Sequence, residues 1–346
     1  MRPFMLARGM VAIGVVAYLA LISSCQLLNR STAGQGIQGR IAWPKDGDLW
    51  VYDVSSRQQT KITNLPPGAA VTGATWSPDG QRVIFAQFWR RPNERSSGAD
   101  LMVANADGSS ARPFVERDAA NTVLEAPEWM PSGAVYYATR IVTNARESQS
   151  IVRRRTEDGP AETVVDNAYS PAVSPDESTL VYIRSTRAGQ SMLKKTPGEA
   201  GDGCELISDQ VFQYLSLPRI SPDAKRVAFG GSGEANMQPS GCGGDPRSKP
   251  SAAGLPPGLD LAASLFAPPI AEAHGLPADV YSVNLDGSDM TRVADIKDDD
   301  PTLAWSPDGS KLAIFGVAAL YVVDARGGPT SKLVEQGGYG GLDWSR

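Results

Sequence analysis

Trp76-Ser77-Pro78-Asp79-Gly80 returns in full as Trp305-Ser306-Pro307-Asp308-Gly309. Degenerate copies stand at Trp129-Met130-Pro131-Ser132-Gly133, Val173-Ser174-Pro175-Asp176-Glu177 and Ile220-Ser221-Pro222-Asp223-Ala224. Within each copy Pro pre-sets φ for a turn, and Asp-Gly supplies residues that tolerate turn geometry. Short runs rich in β-branched and aromatic residues flank the turns, as in Lys311 to Phe315 and Leu320 to Asp324, and read as strands. A second hairpin recurs as Asn105-Ala106-Asp107-Gly108 and Asn284-Leu285-Asp286-Gly287, where Asp-Gly between strand-like runs signals a tight turn. The phrases are spaced 53, 44, 47 and 85 residues apart. About 40–50 residues and four strands per unit is the period of a propeller blade. The longest interval therefore holds an insertion.

The two ends complete the count. Arg40 to Trp43 and Asp48 to Asp53 look like inner strands of a blade that lacks its opening strand, and Gly341 to Arg346 is the opening of a repeat with nothing after it. The reading is an all-β, six-bladed propeller of four-stranded antiparallel blades. Its ring is closed by pairing of the C-terminal strand with the N-terminal blade, which leaves no unpaired half-blade edge. The expected propeller spans 39–346, with a low-complexity insertion over 232–279 in the fifth blade.

The phrase followed by an apolar strand and a Leu-Tyr-Val-Val-Asp hairpin (Leu320 to Asp324) resembles the TolB-type six-bladed propellers, a repeat also found in the propellers of prolyl-oligopeptidase-like enzymes. The resemblance runs from about Arg40 to Arg346 and implies the fold. TolB itself carries a further N-terminal α/β domain, and the stretch before Arg40 is too short to be one.

That stretch reads as an address. Arg2 and Arg8 precede an apolar run from Met10 to Ile22, followed by Ser23-Ser24-Cys25. A basic start, a short apolar core and small residues describe an export signal over 1–24. Ile22-Ser23-Ser24-Cys25 resembles a bacterial lipobox, which implies that Cys25 is the lipidated first residue of the mature chain, followed by a polar tether over 25–38. An uncleaved anchor is the rival, because no charge falls between Gly9 and Asn29, just enough to span a bilayer; a soluble secreted protein is the third reading. The expected location is extracytoplasmic and membrane-anchored, periplasmic or at the cell surface. Outside the cytoplasm, Cys204 and Cys242 are candidates for a disulfide.

The formal net charge of −5 argues against nucleic acid as a partner by bulk electrostatics. Recognition is expected on the propeller face that carries the variable loops, over Phe88 to Gly98, Arg140 to Ser150, Arg184 to Gly189 and Gly230 to Asp279. Trp89, Arg90, Arg91 and Arg95 in the first loop and Arg140 and Arg146 in the second are the binding-face candidates, since Trp and Arg anchor interfaces and Arg grips carboxylates or phosphates. The alternative is a solvated loop tied by salt bridges to nearby acids. Arg153-Arg154-Arg155 reads as a charged strand exterior. Asp298-Asp299-Asp300, in an expected inter-blade loop, is a weak calcium candidate, without the spaced distal Glu of an EF-hand. An apolar patch from Leu255 to Ile270 reads as a capping or docking element of the insertion.

Equipment for catalysis is sparse. The one histidine, His274, sits in the insertion, and there is no Gly-x-Ser-x-Gly elbow, His-Glu-x-x-His motif, zinc-type Cys pair or phosphate loop. No cofactor is expected. The reading is a non-catalytic envelope scaffold that binds a protein, peptide or glycan. Its alternatives are an extracytoplasmic hydrolase or lyase with acidic residues in the channel, and an accessory subunit of a membrane complex.

Overall fold

The computed structural model describes residues 37–143, 147–233, 242 and 276–345, and the described residues hold 24 strands and no helix. The expected signal, Cys25, most of the tether and Arg146 lie outside them.

The first sheet contains β1 (Arg40–Lys45), β2 (Asp48–Asp53) and β3 (Gln58–Lys61). Its fourth member comes from the other end of the chain: β24 (Asp343–Ser345) pairs antiparallel with β1, Arg40 opposite Ser345 and Ile41 opposite Trp344. The second blade is β4 (Ala70–Trp76), β5 (Arg82–Trp89), β6 (Gly98–Asn105) and β7 (Arg112–Val115), and the third is β8 (Thr122–Trp129), β9 (Val135–Val142), β10 (Glu147–Arg154) and β11 (Ala161–Asp166). The fourth begins with β12 (Tyr169–Val173), the fifth with β16 (Tyr214–Ile220) and the sixth with β20 (Thr302–Trp305), each followed by three more antiparallel strands. The innermost strands touch in the cyclic order β24, β4, β8, β12, β16, β20 and back to β24.

The second and third blades are fused into one eight-stranded sheet, because Ala99 on β6 runs parallel to Val123 on β8. Gly98 makes this approach possible: a Cβ there would sit 2.3 Å from the Thr122 carbonyl oxygen.

Second strands of blades read as continuous apolar runs because both of their faces are covered by neighbouring blades. Ile41-Ala42-Trp43, Leu180 to Ile183 and Val227-Ala228-Phe229 are fully buried. The core is accordingly a set of clusters at blade boundaries. Trp76, Phe85 and Val71 meet Ala42, Leu49 and Val51, and Phe212, Leu215 and Phe229 meet Val181, Ile183 and Met192.

The repeated phrase is a side-chain-locked turn. Ser77 Oγ donates to Asp79 Oδ1 (2.6 Å) and accepts the Arg82 amide (2.8 Å), while the Gly80 amide closes the turn on the Ser77 carbonyl (2.8 Å). Ser174, Ser221 and Ser306 repeat the Ser–Asp bond at 2.6 Å. The last turn residue is left-handed in every copy, φ 65° at Gly80 and 70° at Gly309, and also at Glu177 (56°) and Ala224 (54°), where a side chain adopts it at a conformational cost.

Several segments expected as loops are strand. Trp89 ends β5 and Arg140 lies on β9, whose hairpin with β10 stays in register out to Val142 opposite Glu147. Asp298 and Asp299 belong to β19 (Thr291–Asp299), paired with Ala278 and Pro277, so only Asp300 lies beyond the strand. The same ladder trims the insertion: β17 (Arg226–Ser232) and β18 (Pro277–Asn284) pair through Ser232 and Ala278, so the inserted residues are 233–276. The Leu255 to Ile270 patch lies outside the described residues.

Candidate functional site

Aligning the blades on the phrase exposes the site. The residue immediately before each copy is Thr75, Glu128, Ala172, Arg219 or Ala304, and before the partial copy at the C-terminus it is Asp343. These six hold equivalent positions of the repeat, and four of them are linked across the blades. Arg219 of the fifth blade reaches Glu128 of the third at 2.9 Å, a contact between non-adjacent blades. Asp343 accepts the Trp76 amide (2.8 Å) and the Thr75 hydroxyl (3.2 Å), and Thr75 Oγ1 in turn accepts the Trp129 amide (3.3 Å). Ala172 and Ala304, at the two remaining equivalent positions, have no polar side-chain atoms and are buried.

Two acids and one arginine therefore share a buried level. Burial pushes the Glu128 carboxyl up to about 7, against the opposing pull of Arg219 and with a further push from Asp343. Burial likewise raises Asp343, while the Trp76 amide and Arg219 pull it back.

Above this level the innermost strands flare. Register shifts fall between Val71 and Gly73, Glu125 and Glu128, Tyr169 and Ala172, and Ser216 and Arg219, at corresponding points of four consecutive blades. Bulges bend a strand and re-aim its side chains, and they tolerate a proline that a regular ladder would reject. Pro127, Pro171 and Pro218 sit in three of them, and Ala126 and Ser170 take φ near 50°.

The flare encloses a cavity of about 370 Å³ on the axis, to which every blade contributes. Its polar wall includes Glu125, Arg140, Tyr169, Tyr214, Asp300 and, at the level below, Arg219; the tail segment closes the wall with Gly340 and Gly341. Arg140 is held between two acids, Nε at 3.3 Å from Glu125 Oε1 and 3.8 Å from Glu147 Oε1. Burial raises Glu125 despite Arg140. Burial pushes the Tyr169 hydroxyl up to about 12 and raises Tyr214 as well, and the Tyr169 hydroxyl shares a hydrogen bond with Ser185 Oγ at 3.3 Å. Gly73 and Gly341 leave their stretch of wall without side chains.

Of the binding-face candidates, Arg140 alone among the described ones lines this cavity. Trp89 and Arg91 are turned inward: Trp89 Nε1 donates to Asp100 Oδ2 (2.6 Å) and Arg91 Nη2 to Asp100 Oδ1 (2.7 Å). Asp100 also accepts the Arg117 amide and guanidinium (2.8 and 2.7 Å), and Arg117, its side chain fully buried, bonds Glu94 as well. The aromatic–arginine loop is thus pinned to its own blade, the salt-bridged alternative. Arg90 and Arg95 are exposed on it. Arg153, expected on a charged strand exterior, is largely covered: it pairs with Glu162 at 2.8 Å and donates to the Tyr136 hydroxyl at 3.3 Å.

The three aspartates are divided rather than pooled. Asp298 Oδ1 accepts the amides of Asp299 (2.8 Å) and Val317 (3.1 Å), Asp299 accepts the Tyr339 hydroxyl (2.7 Å), and Asp300 lines the axial cavity. Among the described residues no cluster of three or more His, Cys, Asp or Glu is arranged to hold a metal ion. Cys204 and Cys242 are joined by a disulfide with Cα atoms 5.4 Å apart, linking the outer strand of the fourth blade to the insertion of the fifth. Among the described residues no helix is long and apolar enough to cross a membrane.

No protein-family profile matches the sequence, and no curated protein matches it. Solved structures do match in shape. TolB from Acinetobacter baumannii aligns with a TM-score of 0.62 at 12% identity, over 94% of this chain and 71% of that one. A chain of the nidogen/laminin complex aligns at 0.58 and 7% identity, over 89% and 98%. A Mycobacterium tuberculosis puromycin-hydrolyzing peptidase aligns at 0.52 and 14% identity, over 86% of this chain and 45% of that one. These likenesses show a TolB-like β-propeller fold, shared by proteins of unlike function.

Proposed function

We propose that the chain is an exported, membrane-tethered propeller that binds a protein or peptide partner in the cell envelope and performs no chemistry of its own. The observation that carries this reading is the axial cavity. It has room for a side chain or a chain end, and its wall is built from backbone and mixed polar groups supplied by all six blades. Such a wall suits directional hydrogen bonding to a peptide inserted along the axis.

Several features support binding over turnover. Both oxygens of Glu125, a half-buried acid of the wall, lie within 3.4 Å of the Arg140 guanidinium, which engages a carboxylate that a general acid or base would need free. The cavity hydroxyl of Ser216 donates to the Pro301 carbonyl at 2.8 Å and faces no basic partner there. The export-like N-terminus and the Cys204–Cys242 disulfide favour an oxidising compartment outside the cytoplasm.

A photo-crosslinking residue at Gln149, on the cavity wall, tests the reading against the same residue at Lys332 on the outermost strand of the sixth blade. Adducts to envelope polypeptides from position 149 and not from 332 are expected. Equal adduct patterns, or saturable turnover in a screen of glycosides, lactones and esters that Glu125→Gln abolishes, would overturn it.

A further inference from the structure

A second pattern couples each blade to the next. The residue six places past the start of a phrase opens the next strand or, for Thr179, immediately precedes it, and Arg40 holds that place in the first blade by pairing register. Where the following phrase opens on Trp, this residue is a cation: Arg40 before Trp76, Arg82 before Trp129, Arg226 before Trp305, Lys311 before Trp344. Where the following phrase opens on Val173 or Ile220, it is Val135 or Thr179.

The structure shows what the pairing is for. Arg40 lies with Cζ 4.5 Å from the Trp76 ring centroid and donates to the Gly80 carbonyl of the same turn. Arg82 stacks on Trp129 at 4.8 Å. At the next Trp-bearing boundary, between the fifth and sixth blades, the arginine is diverted. Arg226 Nη1 donates to Asn284 (2.8 Å) and Asp289 (2.6 Å), and Nη2 to Ser282 (2.9 Å), all within its own blade. A cavity of about 500 Å³ opens where its neighbours place a guanidinium, lined by Trp305, Asp223, Asp308, Gly309, Arg226 and Arg326.

We propose that this inter-blade cavity is a receptor slot for the guanidinium of an arginine side chain presented by a polypeptide partner. The chain itself supplies the precedent: an indole beside a Ser-Pro-Asp-Gly turn receives a stacked guanidinium at Trp76, and an indole beside a Met-Pro-Ser-Gly turn does so at Trp129. Charge points the same way. Arg226 is paired with Asp289, and the lining adds the carboxylates of Asp223 and Asp308 against the single, almost fully exposed Arg326. The Lys225–Asp223 pair, 3.5 Å apart with both side chains more than half exposed, competes weakly. Arginine suits the slot better than lysine, because a planar guanidinium stacks on an indole and still presents its donors edge-on to carboxylates. The slot lies beside the phrase turns, away from the axial cavity, so it goes beyond the binding reading above and stands or falls separately.

The test uses the full-length chain in mild detergent and three blocked tripeptides, Gly-Arg-Gly, Gly-Lys-Gly and the citrulline analogue of the first, titrated calorimetrically. The arginine peptide is expected to bind with a Kd in the millimolar range, about tenfold tighter than the uncharged citrulline peptide, with lysine between them. Trp305→Val, which installs the side chain that the fourth-blade phrase carries, is expected to lose about tenfold. Asp223→Asn is exposed and keeps the turn's acceptor, so it tests the slot even if the first variant does not fold; a loss of about threefold is expected at low salt. Equal binding of arginine and citrulline peptides, no saturable binding of the arginine peptide, or unchanged binding in Asp223→Asn at low salt would overturn the proposal.

Discussion

Glu128→Gln isolates one buried proton and lets the axial level be weighed. Glu128 is 15% exposed, faces Arg219 at 2.9 Å and shares the level with Asp343. Burial raises its carboxyl from an ordinary 4.5 to about 7, so in the folded chain it keeps its proton over a range where the unfolded chain has released it. The stability this group contributes is therefore complete below the ordinary value and drains away as pH rises towards 7, after which the loss levels off. Each unit of separation corresponds to 1.36 kcal/mol, so the loss between pH 5 and pH 8 is about 3 kcal/mol. Glutamine keeps the shape and has no proton to lose.

Urea unfolding of wild type and Glu128→Gln at pH 5, 6, 7 and 8 measures it. The two proteins share Asp343, whose carboxyl is also raised by burial and imposes a slope of the same sign on both. The difference between them removes that shared slope. Gln is expected to gain on wild type by about 3 kcal/mol from the lowest to the highest pH, with most of the change before pH 7. A difference that stays flat over this range would refute the reasoning, because it would mean that Arg219 holds Glu128 charged from the outset.

Removing the Asp100 carboxylate with Asp100→Ala strips the buried Arg117 guanidinium of one of its two acids and takes from Trp89 and Arg91 the carboxylate they share, so a loss of about 3–5 kcal/mol in urea unfolding is expected. Ser306→Ala removes the hydroxyl that donates to Asp308 and accepts the Lys311 amide; about 1 kcal/mol per hydrogen bond is expected in thermal or urea melts. Reduction of Cys204–Cys242, which are 38 residues apart, is expected to lower stability by up to about 4 kcal/mol, measured as the shift in urea midpoint with and without reductant. Deleting 343–346 removes β24 and bares the edge of β1, so concentration-dependent oligomers are expected on size-exclusion chromatography; a monomer of unchanged stability would argue that the tail does not close the ring.

The architecture was legible because its signal is redundant. Five phrases recur, four of them with the same Ser-to-Asp lock, and they specify turns that do not depend on anything distant in sequence. The site was less so, for a geometric reason. Glu128 and Arg219 stand 91 positions apart on non-adjacent blades, and no local window relates them. Only alignment of the repeats on the phrase, followed by reading the residue just before it, brings Thr75, Glu128, Arg219 and Asp343 into one row. The Trp89 to Arg95 loop misled for the opposite reason. Its composition is that of an interface, but Asp100 and Arg117, which absorb Trp89 and Arg91, sit on and beyond the following strand, where pairing register decides what they meet. Asp298 to Asp300 look pooled in the chain, yet strand pairing through Asp299 sends their carboxylates to different partners.

What the repeat holds constant and what it varies divide along physical lines. The turn lock and the apolar second strand recur because every blade must bend at the same place and be covered on both faces. The residue before the phrase varies because six copies of one charge on the axis would repel, whereas two acids, one arginine, one hydroxyl and two alanines fill the level with a partner for each charge. The two positions vary together at blade boundaries, Arg or Lys with Trp, and Val135 or Thr179 with Val173 or Ile220, because both halves share one interface. The boundary of Arg226 and Trp305 keeps both halves but separates them. Lys311 also turns away, to Asp324 at 3.2 Å, but at the Arg226 boundary a cavity opens beside the indole, where a group from outside the chain can take the arginine's position.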